Sequence, residues 1–325
     1  MKQIKIPSKA LTMPCNRFEG NKLVMYNALN TNVVLEIDLE ETYTETPKEV
    51  DGKAIEIIKA FGDGVEIEFK EKHLFIKKDK NTCKCLYLEN NIKIPEVDTL
   101  IHLKIANKDL SNALKFTASE NNNRVILQAI NISNTGISAT DGFKAYFNGS
   151  QDENDNVSIS KEFVSNLLKI TEEETVKIYF NKTKCWAFAD NMRLIGNVYN
   201  DTYPKVNNLK ELNTTYGKIT LDPIKVKEAT NLLKIDNDST AFEIISANNV
   251  LYFRTEALEL EVGNCDGLDL EVGSCDGDVS ILISKESLFA FNLFENARVY
   301  YSDSLKPLHI KNEDTTILIV PMRKV

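Results

Sequence analysis

The most regular pattern of apolar and polar positions runs from Asn156 to Met192. Val157 and Ile159 alternate with polar neighbours, Ser160 stands where an N-cap would, and Phe163, Leu167 and Leu168 follow at helical spacing. Val176, Ile178 and Phe180 alternate again, and two further apolar runs centre on Trp186 and Leu194. The pattern predicts a strand, a helix and three strands. The same order recurs over residues 49–90, with Ile55 and Ile58 on the helix and Val65, Ile67 and Phe69 on the strand. It recurs again over 280–322, where Ser284 is the cap and Val299 and Tyr301 open the next strand. The helix lysines Lys53, Lys161 and Lys285 are 108 and 124 residues apart, a period of ordinary domain size.

This periodicity divides the chain into three domains, 1–97, 98–212 and 213–325. In the first, Pro7 and Pro14 bracket only Ser8 to Met13, so the opening helix is expected to be absent or one turn long. The second has a strand at Leu100–Ile105, then Leu110, Leu114 and Phe116 on one helix face with Asn107 as cap. RVILQAINI and GISATDGFKAYF follow as strands about the turn SNTG. In the third, Asp222 caps a helix with Pro223 at its first position, and AFEIISANNVLYFRTEALELEV reads as strands around Asn248-Asn249.

A local tandem duplication occupies 258–277: LELEVGNCDG is followed directly by LDLEVGSCDG. Each copy is an alternating strand ending in a Gly/Asp turn, which predicts a lengthened surface hairpin. A metal site there would require Cys265, Cys275, Asp266 and Asp276 to converge, whereas zinc sites usually carry closer cysteine pairs.

Composition narrows the function. The 325 residues are 42% hydrophobic with a net charge of -9, which argues against a protein that coats nucleic acid indiscriminately but allows a basic face. The six cysteines, 15, 83, 85, 185, 265 and 275, show no disulfide framework. With no secretory leader and no apolar run of the ~18 residues a membrane helix needs, the reading is a soluble cytoplasmic protein away from membranes. His73, His102 and His309 are isolated on strand-like segments, and no GxxxxGK[ST], HExxH, GxSxG or CxxC pattern is present. An enzyme is therefore not expected, and no cofactor or metal is implied. A non-catalytic scaffold of three beta-rich repeats is the rival reading.

Three stretches carry a resemblance. Thr140 to Ala145, TDGFKA, resembles a Thr-Asp-Gly-His-Arg-Leu segment; RLIGNVYNDTYPKVNNL resembles an Arg-Leu-Ile strand running to Tyr-Pro; ILIVPMRKV resembles a terminal Val-Met-Pro-Met-Arg-Leu. In their order within a threefold repeat they are similar to the bacterial DNA polymerase III beta sliding clamp. The resemblance covers residue 20 to the end, with Phe143 and Lys144 standing where that family has His and Arg. These departures, with the reduced first helix, would suit a divergent clamp encoded by a phage or mobile element. A eukaryotic-type trimeric clamp would carry two domains per chain, not three.

The resemblance implies an α+β fold of three similar clamp domains, helices on the inner face of antiparallel sheets, and two subunits head to tail in a ring. Duplex DNA is then held by topology, without sequence preference, and the ring acts as a processivity factor. The five predicted helix segments together carry +2 while the rest of the chain carries -11. Lys108, Lys115, Lys161, Lys169, Lys225, Lys227 and Lys234 are the candidates to face DNA, or else solubilising residues on helix surfaces. The resemblance further implies a pocket between the second and third domains for short peptides of the replicative polymerase and clamp loader. Arg124, Leu127, Thr140, Gly142, Phe143, Lys144 and Ala145 form one wall, joined by Pro204, Asn208 and Leu209 if Tyr203-Pro204, not Tyr199-Asn200, is the anchor. Leu318, Ile319, Val320, Pro321, Met322 and Arg323 form the other, unless Leu318 to Val320 are simply a core strand.

Overall fold

The computed structural model describes the chain except residues 1, 28–29, 89–100, 150–155, 206–216, 236–239, 256–257, 261–262, 266–267, 295–296 and 324–325; for 30–32, 235, 258–260 and 263–265 it describes the backbone alone. Two compact units emerge, one of residues 1–114 with 157–201 and one of 115–156 with 202–325. Both are built on antiparallel strands, with few helices.

In the first unit the hydrogen-bonded strand order is Lys2–Ile4, Val65–Phe69, His73–Lys78, Asn81–Leu88, Thr44–Asp51, Cys15–Gly20, Lys22–Asn27, Asn30–Asp38, Met192–Tyr199, Lys184–Ala189, Thr175–Phe180, Ile101–Ala106. Helix α1, Gly52–Phe61, starts where the Asp51 carboxylate accepts from Lys53 N–H at 2.9 Å, and it stops at Gly62 with φ 71°. It buries Ala54, Ile55 and Ile58. Residues 5–14 contain only a turn, closed by Ala10 N–H to Pro7 carbonyl at 2.9 Å.

Helix α2, Asn107–Leu114, differs from the sequence expectation at its start. Asn107 is the first helical residue and not the cap: its side-chain amide donates to the Glu173 carbonyl, and its Oδ1 has no hydrogen bond among the described residues. The tertiary partner outcompetes local capping. Helix α3, Lys161–Ile170, is capped as read, with Ser160 Oγ accepting from Phe163 N–H at 3.2 Å. Its buried stripe is Phe163, Val164, Leu167 and Ile170, and Leu168 is only half-buried. Gly196 lies against this stripe, where a Cβ would sit 2.6 Å from the Phe163 ring.

In the second unit the order is Ala129–Ile132, Gly136–Thr140, Lys144–Gly149, Thr315–Ile319, Leu308–Asn312, Arg298–Tyr301, Gly217–Leu221, Asp269–Cys275, Val250–Arg254, Ala241–Ala247, Ser280–Ser284. Asn248 and Asn249 both have positive φ, 53° and 63°, which fits a tight two-residue hairpin turn. Helix α4, Pro223–Ile235, begins with Asp222 accepting from Ile224 N–H at 2.9 Å. Two expected elements are 3₁₀ helices: Val125–Gln128, read as part of a strand, and Lys285–Asn292, read as an α-helix. In the former, Leu127 N–H reaches Arg124 carbonyl at 2.9 Å while the Leu127 carbonyl accepts from Ala118 N–H at 2.8 Å, so tertiary bonding replaces a ladder.

Candidate functional site

The strands Gly136–Thr140 and Lys144–Gly149 pair in register, Thr140 opposite Ala145, and leave Asp141, Gly142 and Phe143 at the tip. Asp141 organises that tip. Its Oδ1 accepts from the N–H groups of Phe143 and Lys144, both at 2.8 Å, while its Oδ2 pairs with Lys144 Nζ. Thr140 Oγ1 donates to the Lys144 carbonyl at 2.8 Å and accepts from Gly142 N–H at 3.0 Å. Gly142 has φ +96°, a conformation an L side chain resists, and a Cβ there would meet Leu127 Cδ1 at 3.8 Å. Leu127 therefore lies beneath the turn.

The consequence is a division of labour between neighbours. Lys144 is buried with its charge compensated by Asp141, whereas Phe143 projects outward, 74% exposed. The final strand continues this surface. Lys144 faces Ile319 and Ala145 faces Leu318, then Val320 N–H donates to the Phe143 carbonyl and Met322 N–H to the Leu282 carbonyl, each at 2.8 Å. Leu318 and Ile319 are core residues of that strand, while Val320 and Met322 are each 39% exposed. Phe143, Val320 and Met322 are thus exposed apolar residues at the hairpin tip and on the tail that its backbone binds, a candidate apolar rim.

Of the other residues read from sequence, Pro204 is half-buried and Arg124 and Arg323 are exposed. Asn208 and Leu209 lie outside the described residues. Tyr203 is placed beside the turn: burial raises its phenol well above the ordinary range, and its oxygen, near the Thr140 backbone, makes no hydrogen bond of normal geometry among the described residues. Two contributors were missed. Asp141 could have been found from its position before Gly142, a sequence signature of side-chain-closed turns; Leu282, which receives the tail, carries no sequence signal.

The candidate lysines occupy helices or their ends. Lys108, Lys115, Lys169, Lys227 and Lys234 are exposed and Lys161 is half-buried. Lys225 is also half-buried and is ion-paired with Glu271, which raises its pKa and spends part of its charge inside the protein. The side chains of Cys265 and Asp266 are outside the described set, and no cluster of three metal-binding side chains occurs among the described residues.

No protein-family model and no curated protein sequence matches this chain. Solved structures do. A putative DNA polymerase III beta subunit from Eubacterium rectale superposes with TM-score 0.79 at 15% identity, over 97% of this chain and 93% of that one. The fold is that of a sliding clamp. The Thermotoga maritima DNA polymerase III beta subunit gives TM-score 0.78 at 15% identity, covering 98% and 95% of the two chains. The Pseudomonas aeruginosa sliding clamp bound to griselimycin gives 0.76 at 17% identity, covering 100% and 94%. The α+β class and the predominance of antiparallel sheet agree with the sequence expectation, and the clamp fold spans the whole chain.

Proposed function

We propose that this protein is a DNA sliding clamp: a non-catalytic, cytoplasmic processivity factor that closes as a ring of two copies around duplex DNA and tethers a polymerase and its loader by short peptides. The observation that carries the reading is the pairing of full-length clamp-fold similarity with an apolar rim at Phe143, Val320 and Met322. A peptide laid along that rim would bury its own apolar anchors against these side chains, with affinity set by a few of them. The three-domain division 1–97, 98–212 and 213–325 belongs to this proposal.

Strand pairing supports the two-copy ring. The last strand of the second repeat, Met192–Tyr199, bonds to Asn30–Asp38, and that of the third, Thr315–Ile319, bonds to Lys144–Gly149. The corresponding strand of the first repeat, Asn81–Leu88, bonds to His73–Lys78 and, through Tyr87 and Leu88, to Thr44–Asp51. Along residues 81–86 its other edge has no strand partner among the described residues, and Leu86 is 67% exposed. An open strand edge invites another chain, and a second copy would continue the pattern of the other two repeats. The seven lysines supply the weak, sequence-blind attraction to phosphates that sliding tolerates.

Sedimentation across micromolar dilution tests the ring. A species of about 73 kDa, twice the 36.7 kDa chain, is expected; a persistent 36.7 kDa monomer would contradict it.

A further inference from the structure

The tandem repeat at 258–277 holds none of the three rim residues, and its two copies are treated differently by the fold. The second enters the main sheet as Asp269–Cys275, between Val250–Arg254 and Gly217–Leu221. The first forms a separate two-stranded hairpin, Leu258–Leu260 against Gly263–Cys265.

The position in the main sheet makes specific demands. At Gly273 a Cβ would lie 2.0 Å from the Thr220 carbonyl oxygen and 3.0 Å from Leu221 Cα, so backbone excludes any side chain. Val272 is fully buried and Cys275 is buried at 4% exposure. Asp269 receives Arg254 Nε and Nη2 at 2.6 and 2.8 Å, and Glu271 pairs with Lys225. Gly277 has φ +102°. Ten residues earlier the sequence offers Gly263, Val262, Cys265, Glu259, Glu261 and Gly267 for these same places. The copies differ only in Glu259 for Asp269, which keeps the charge, and Asn264 for Ser274, which is an exposed position.

The connections are equally permissive. At present 14 residues, 255–268, lead into the sheet strand and four, 276–279, lead out of it. With the first copy seated as 259–265, four residues, 255–258, would lead in and 14, 266–279, would lead out. A four-residue hairpin connection is common, and loop closure depends only weakly on length.

We propose that the two copies exchange for one strand position, giving two folded arrangements that differ by a ten-residue slip. In one the surplus segment leaves the sheet before the strand, and in the other after it. A partner that grips the surplus segment at either end fixes the arrangement. The inference rests on the sheet position and the repeat, not on the clamp reading, and the two fail separately.

Gly273→Val, Gly263→Val and the double variant test it by thermal unfolding and by iodoacetamide labelling with peptide mass spectrometry. Gly273→Val should fold with a Tm near wild type, because the first copy takes the position, and should label at Cys275 while protecting Cys265. Gly263→Val should keep Cys275 protected, and only the double variant should lose the folded state. The inference is overturned if Gly273→Val is as damaged as the double variant. It is equally overturned if Gly273→Val folds with Cys275 still protected, or with both thiols reactive.

Discussion

Val320 N–H donates to the Phe143 carbonyl at 2.8 Å, which joins the hairpin tip to the tail as it leaves the final strand. The bond uses only backbone, so the Phe143 side chain is left to project and Val320 and Met322 to complete an apolar rim. Phe143→Ala and Met322→Ala should each weaken binding of a polymerase-derived peptide by roughly tenfold, as expected for interface anchors, with Tm unchanged. Fluorescence polarisation with a labelled peptide reads the first effect and calorimetry the second. Unchanged affinity in both variants would place the peptide elsewhere.

Asp141 holds the same tip from inside. Asp141→Ala removes the acceptor of two backbone N–H groups and the counter-charge of Lys144, whose side chain is only 9% exposed. A loss of about 2–4 kcal/mol is expected in urea unfolding, because a buried cation is left uncompensated. Asp141→Asn, which can retain one acceptor, should lose less.

Glu36 and Arg193 face each other across the strands Asn30–Asp38 and Met192–Tyr199 and are ion-paired, with Glu36 almost fully buried. Arg193→Ala should destabilise the first unit by about 1–3 kcal/mol, since it strands a buried carboxylate but leaves a partly exposed site that water can enter. Hydrogen exchange should speed up in Met192–Tyr199 before it does so in the second unit.

His309 gives a pH dependence whose sign follows from its burial. Desolvation, aided by Lys311, lowers its pKa to about 4 from 6.5. Above the unfolded value both states are neutral and the residue is silent. As pH falls from 6.5 toward 4 the unfolded chain takes up a proton that the folded chain does not, so stability is lost across that window. The full loss is on the order of 3 kcal/mol. The wild-type urea midpoint should fall relative to that of His309→Gln as pH drops through this window; parallel curves would remove His309 as the cause.

The helix faces were legible because burial follows secondary-structure period: Phe163 and Leu167 on α3, and Ile55 and Ile58 on α1, are core residues as their spacing implies. Ser160, Asp222 and the Asn248-Asn249 turn were legible because their chemistry is local. What escaped depends on distant partners. Asn107 is diverted from capping by Glu173, Val125–Gln128 is tied to Ala118 instead of to a strand, and the tail finds Leu282. In the candidate site, Phe143 and Met322 were named by resemblance, but the burial of Lys144 against Asp141 required the folded turn. The duplication at 258–277 divides its copies: the second pairs with Val250–Arg254 in the main sheet and the first pairs with itself between them. Two copies with the same alternation cannot announce which of them enters the sheet.

The central claim is that DNA is held by enclosure, and retention on DNA with removable ends tests it most directly. The protein is threaded onto linear duplex, both ends are capped with bulky blocks, and the complex is challenged with high salt, which removes attraction to phosphates but not topology. Retention until a restriction enzyme cuts the duplex between the blocks, followed by rapid release, is the predicted result. Release at the same rate before and after cutting would contradict it.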